Sequence, residues 1–146
     1  MSARLDMRRC QRRLLALWGG WSVLGLGVVL VQTSPGGAYE ANGGAVWDWF
    51  LPTVIPTLSL MLGTVLADAR QPAEDAEPPS TVDAVAYRVA LWTSVLYLVL
   101  VLALLFTYAQ APAPVEALRE RSRLVSTIYS VVGVALGTFF VSKRRD

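Results

Sequence analysis

Thr53, Thr57 and Thr64 punctuate a long apolar stretch, and Asp68 lies just beyond it. At about 100° per residue the four fall within an arc of about 60°, a polar stripe on one helix face. Hydroxyls so placed have two uses. They line a water-filled path and replace part of an ion's hydration shell, with Asp68 at the mouth. Alternatively they bond back to their own helix or across to a neighbour, and Asp68 is a solvated helix end. Both readings stand at this level. Pro52 and Pro56 lie in the same stretch, each followed by threonine. Each removes a backbone donor and bends a helix.

A second constellation is Ser126, Ser130, Gly133 and Gly137, spaced 4-3-4. This places four small residues along one seam of a helix, with Gly133 and Gly137 as a GxxxG pair. Such a seam packs a helix tightly, either within one chain or between chains.

Catalytic chemistry has little to work with. The chain has no histidine and one cysteine, Cys10. There is no histidine base, no intrachain disulfide and no cysteine-rich metal cluster. The expectation is a non-enzymatic protein without metal or cofactor.

The elements that carry these residues are apolar. Four stretches, Leu14–Val31, Trp49–Ala67, Val89–Phe106 and Leu124–Val141, contain no Asp, Glu, Lys or Arg. A helix needs roughly 20 mostly apolar residues to cross a bilayer, and about 18 suffice with interfacial help. The hydrophobic fraction of 54% agrees. The fold expected is all-α: an integral membrane four-helix transmembrane bundle in a single domain. Its parts are a basic tail (1–13), spans at 14–31, 49–67, 86–109 and 124–142, and connections at 32–48, 68–85 and 110–123. A short basic tail (143–146) closes it. The first span is read as an uncleaved helix, because its apolar core exceeds a secretory signal and three spans follow.

Charge orients the bundle. The tails carry Arg4, Arg8, Arg9, Arg12 and Arg13 at one end and Lys143, Arg144 and Arg145 at the other. Adding Arg70 and Arg88, and setting Arg119, Arg121 and Arg123 opposite, gives ten positive residues against three. Both termini are therefore expected in the cytoplasm, in a bacterial inner membrane. The basic residues also suit anionic lipid. The 68–85 connection, with Glu74, Asp75, Glu77 and Pro72, Pro78 and Pro79, reads as a disordered acidic linker or a dock for a cytosolic protein. Nothing points to nucleic acid.

Finer expectations follow. Ser80 and Asp83 read as a capping box opening the third helix. That helix, aliphatic from Leu98 to Leu105, is expected to have the most lipid contact. The 32–48 loop, rich in glycine, reads as flexible. Trp18 and Tyr129 are among the aromatics expected at headgroup level. Tyr97 alone sits mid-span and is expected to hydrogen-bond to a neighbouring helix. Glu116 with Arg119, and Glu120 with Arg123, are spaced for surface ion pairs on a helix running from about Val115 to Ser142.

The stretch Trp49-Phe50-Leu51-Pro52-Thr53, followed by Pro56-Thr57-Leu58-Ser59-Leu60 and Gly63, resembles that of small bacterial four-helix membrane proteins. Those occur beside sensor and effector genes of conflict, or anti-phage defence, clusters. The resemblance implies a membrane-acting effector or membrane-tethered subunit and transfers no mechanistic residues. The functional expectation is a self-associating or partner-recruiting membrane component, with membrane perturbation as its effector form. A small channel or carrier and a passive anchor or assembly subunit are the alternatives.

Overall fold

In the computed structural model, residues 4–69, 81–109 and 113–140 are described. Short strand β1 (Arg4–Asp6) leads into helix α1 (Met7–Thr33). A single 3-10 turn (Glu40–Asn42) precedes α2 (Gly43–Ala69). Strand β2 (Thr81–Asp83) leads into α3 (Ala84–Tyr108), and α4 (Pro114–Phe140) follows. Of these four helices, α1, α2 and α3 are long and apolar enough to cross a membrane. The first turns of α4 carry Glu116, Arg119, Glu120, Arg121 and Arg123, and its apolar part begins at Leu124. Ser142, the acidic cluster at 74–77, Ser80 and Lys143, Arg144 and Arg145 lie outside the described residues.

The chain is not wholly helical. β1 and β2 pair antiparallel, with Arg4 opposite Asp83, Leu5 opposite Val82 and Asp6 opposite Thr81. The final residue of each strand caps the helix after it. Asp6 accepts from the Arg8 amide and Asp83 from the Val85 amide, both at 3.0 Å. A carboxylate at this position satisfies an orphan amide and complements the helix dipole. The cap of α3 is therefore Asp83 itself, not Ser80, and Thr81–Asp83 is ordered as strand rather than linker. Local acceptor geometry decided what the spacing alone had suggested otherwise. The basic segment is likewise helical from Met7, so Arg8, Arg9, Arg12 and Arg13 ride the first two turns of α1.

At the opposite end, the 34–42 connection is built rather than flexible. Gly36 takes φ 82°, a conformation open to glycine. Its amide donates to Glu40 Oε2 at 2.8 Å, and the Tyr39 amide donates to the Gln32 carbonyl at 2.9 Å. A Cβ on Gly37 would strike the Gln32 carbonyl. Tyr39 is buried, and its hydroxyl donates to the Leu105 carbonyl at 2.8 Å, pinning the loop to the end of α3. Hydrogen bonds that span the loop outweigh its glycine content.

The ribbon brings the starts of α1 and α3 together. α3 packs most extensively on α4, α1 on α2, and α2 on α4. Contrary to its aliphatic composition, α3 is the most buried of the three apolar helices, at 39% against 28% and 22%. Its Tyr87, Ala90, Ser94, Tyr97, Leu98, Val101 and Leu105 all point into the core. Small and aromatic positions at i, i+3 and i+4 let neighbours close on that face, which mean hydropathy does not register.

Candidate functional site

Tyr97 is the junction of the bundle. From α3 its ring stacks on Trp18 of α1, centroids 5.8 Å apart. It meets Tyr129 of α4 at 5.6 Å, tilted by 48°. Its hydroxyl donates to the Thr53 carbonyl of α2 at 3.0 Å. One side chain thus touches the three other helices, and the expected interhelical bond of Tyr97 is present. Trp18 is fully buried in the bundle, and Tyr129 is half-buried against Tyr97. Stacked and tilted ring contacts of this kind hold aromatic side chains against one another inside the bundle. Among the described residues, the indole Nε1 of Trp18 and the hydroxyl of Ser94 are buried without a hydrogen-bond partner.

The threonine stripe is spent inside the bundle. Thr53 Oγ1 donates to the Phe50 carbonyl at 2.6 Å, and Thr64 Oγ1 to the Met61 carbonyl at 2.8 Å. Thr57, buried, donates to the Tyr129 hydroxyl at 2.9 Å. Two hydroxyls bond back and one bridges helices, the second of the two uses that the spacing allows. Asp68 lies in the last turns of α2. Both prolines lie inside α2, which stays helical past them, and Pro52 and Pro56 are exposed. Pro56 leaves the Pro52 carbonyl without its helical donor. The next carbonyl along, that of Thr53, is the one Tyr97 engages from α3. Neighbouring helices commonly re-satisfy backbone groups near a proline in this way.

The small-residue seam faces out of the chain. Ser126, Ser130 and Gly133 are exposed and Gly137 half-buried. A Cβ placed on Gly133 or Gly137 would meet nothing within 4 Å. The face of α4 that packs inward is instead Leu118, Val125, Val132, Leu136 and Phe140. The seam is therefore not an intrachain contact among the described residues. Close approach within the chain occurs at Gly25, where an added Cβ would lie 2.7 Å from the Phe50 ring. That glycine was one of several in α1, and nothing in its spacing separated it from the rest.

The charged groups take other positions than expected. Among the described residues neither Glu116–Arg119 nor Glu120–Arg123 closes as an ion pair, whereas Arg9 and Asp6 do at 3.7 Å. Arg121 Nε instead donates to the Tyr108 hydroxyl at 3.1 Å, tying the start of α4 to the end of α3. Arg8, Arg9, Arg12 and Arg13 are all exposed, while Met7, Cys10, Gln11 and Leu14 between them are buried. Among the described residues no group of three His, Cys, Asp or Glu is placed to hold a metal ion.

No known protein family, curated protein or solved structure matches this chain.

Proposed function

We propose that the chain is a non-enzymatic, multi-pass membrane component that self-associates through the outward face of α4. The observation that carries this reading is the division of α4 into two faces. Bulky Leu118, Val125, Val132 and Leu136 serve the chain's own core. Ser126, Ser130, Gly133 and Gly137 present a shallow strip that no other helix covers among the described residues. Between helices in lipid there is no hydrophobic drive, and close van der Waals contact over small residues supplies association instead. The apolar part of α4 then completes a fourth crossing, with both termini in the cytoplasm by the arginine bias.

A conducting stripe is the weaker alternative, because Thr53, Thr57 and Thr64 direct their hydroxyls to partners inside the bundle. A self-assembling membrane protein also accords with the likeness of Trp49–Gly63 to defence-associated membrane proteins. The test is the mass and crosslinking of the full chain in lipid nanodiscs. The wild-type chain should form a discrete oligomer, and Gly133→Leu with Gly137→Leu should yield a folded monomer. A wild-type monomer, or an oligomer indifferent to both substitutions, overturns the reading.

A further inference from the structure

We infer that the face of α1 turned away from the bundle binds one anionic phospholipid, phosphate at Arg12 and Arg13 and one acyl chain along Ala16, Gly20 and Leu24. The inference rests on the membrane placement proposed above and concerns a different helix from the self-association face.

The head of the site is a guanidinium cluster. Arg8, Arg9, Arg12 and Arg13 fall within about 140° of helix surface, and all four are exposed. Arg9 is paired with Asp6, whereas Arg8, Arg12 and Arg13 form no ion pair among the described residues. Guanidinium forks match phosphate oxygens two at a time, and their hydration is weak enough to exchange for a phosphodiester. The apolar run begins immediately after Arg13, at Leu14. The arginines therefore sit at the depth where headgroup phosphates lie.

The second observation is independent of charge. A trough of about 270 Å³ runs directly above the arginines, lined by Ala16, Leu17, Gly20, Trp21 and Leu24. A second trough of about 430 Å³ lies beyond Leu24, along Gly27, Val28 and Val31 to Phe106 of α3. Leu24 borders both. The depression exists because side chains are missing. A Cβ at Gly20 or Gly27 would meet nothing within 4 Å. At about 1.5 Å per residue, Arg13 to Leu24 rises about 16 Å, close to the ~15 Å of one hydrocarbon leaflet. A basic head joined to an apolar furrow of leaflet depth is the negative of an acidic lipid.

The test offers the purified full chain equal phosphatidylglycerol and phosphatidylcholine in detergent, and counts bound lipid by native mass spectrometry. Phosphatidylglycerol should be retained in excess. Arg12→Gln with Arg13→Gln should weaken it by about fivefold per arginine, or ~30-fold for the pair. Gly20→Leu fills the trough and leaves every charge in place. It should reduce phosphatidylglycerol retention while the melting temperature holds. Equal retention of the two lipids overturns the inference, as does undiminished retention by Gly20→Leu. Displacement of the lipid by an equal concentration of inorganic phosphate overturns it too, because the trough would then contribute nothing. Extraction of the chain from membranes by carbonate is a separate readout, and it defeats the membrane placement itself.

Discussion

The Tyr97 hydroxyl reaches the Thr53 carbonyl at 3.0 Å, beside the turn of α2 that Pro56 opens. The bond joins α3 to α2 at the level where the α2 backbone is least able to satisfy itself. Removing only the hydroxyl should therefore cost what a single interhelical bond is worth. Tyr97→Phe is expected to lower stability by about 0.6–1.5 kcal/mol. Tyr97→Ala also deletes the stack on Trp18 and the contact with Tyr129. It should cost about 3–5 kcal/mol. Thermal or denaturant unfolding in detergent reads both, and equal losses for the two variants would show that the ring contributes nothing.

Thr57 and Tyr129 form the second polar bridge, between α2 and α4, at 2.9 Å. Thr57→Val and Tyr129→Phe each remove one side of the same bond. A double-mutant cycle should return a coupling of about 0.6 kcal/mol, the usual size for such a bond in lipid. In liposomes Thr57→Val should leave ion flux at background, as in the wild type. A conductance that changes with this substitution would mean that the stripe is wet.

Much of this architecture was legible in the sequence. Charge-free stretches mark the apolar helices because length and composition need no partner to be read. Tyr97 was legible for a related reason: a mid-span hydroxyl has few options other than a neighbouring helix. Facing was the harder problem. The small residues at 126, 130, 133 and 137 and the glycine at 25 look alike in sequence, yet Gly25 receives the Phe50 ring and Gly133 faces open space. Which small residue is approached depends on where a distant aromatic lands. The ribbon was invisible for the same reason. Three residues at Arg4–Asp6 have no strand signal of their own, and they pair only because α1 and α3 begin side by side.

The contrast between Gly25 and Gly133 can be tested directly. Gly25→Leu must displace the buried Phe50 ring. Overpacking of this kind costs about 1–3 kcal/mol. Gly133→Leu meets no atom of its own chain and should leave the monomer's stability within ~0.5 kcal/mol of wild type. Unfolding of both variants in detergent, at a dilution where their mass is that of a monomer, separates folding from association. A large loss at Gly133 would place the seam inside the chain after all.

Asp6 and Asp83 hold the start of the bundle by the same device on two helices. Asp6→Ala and Asp83→Ala should each cost about 1 kcal/mol, whereas Asp→Asn at either site should be nearly silent, because asparagine caps as well. Hydrogen exchange of the first-turn amides localises the effect. Asp6→Ala should expose Arg8 and its neighbours and leave Val85 protected, and the reverse should hold for Asp83→Ala. If each substitution loosened both helices equally, the ribbon rather than the caps would be the stabilising element.

Tyr39 supplies a pH signature at the other end. Its phenol is buried beneath the loop, and burial pushes its pKa up from 10.0 to about 12. The folded chain thus holds the proton more tightly than the unfolded chain does. The stabilisation that comes with this preference is fully present below pH 10, declines as the pH rises, and is gone once the pH passes about 12. The Tyr39 hydroxyl donates to the Leu105 carbonyl, and a phenolate has no proton to donate. Ionisation therefore breaks the latch that holds the loop on α3. Wild type minus Tyr39→Phe is the informative quantity, since the other tyrosines cancel. That difference should be a constant of about 1 kcal/mol through neutral pH. It should shrink between pH 10 and 12. A difference independent of pH would mean that the hydroxyl is not buried in the folded chain.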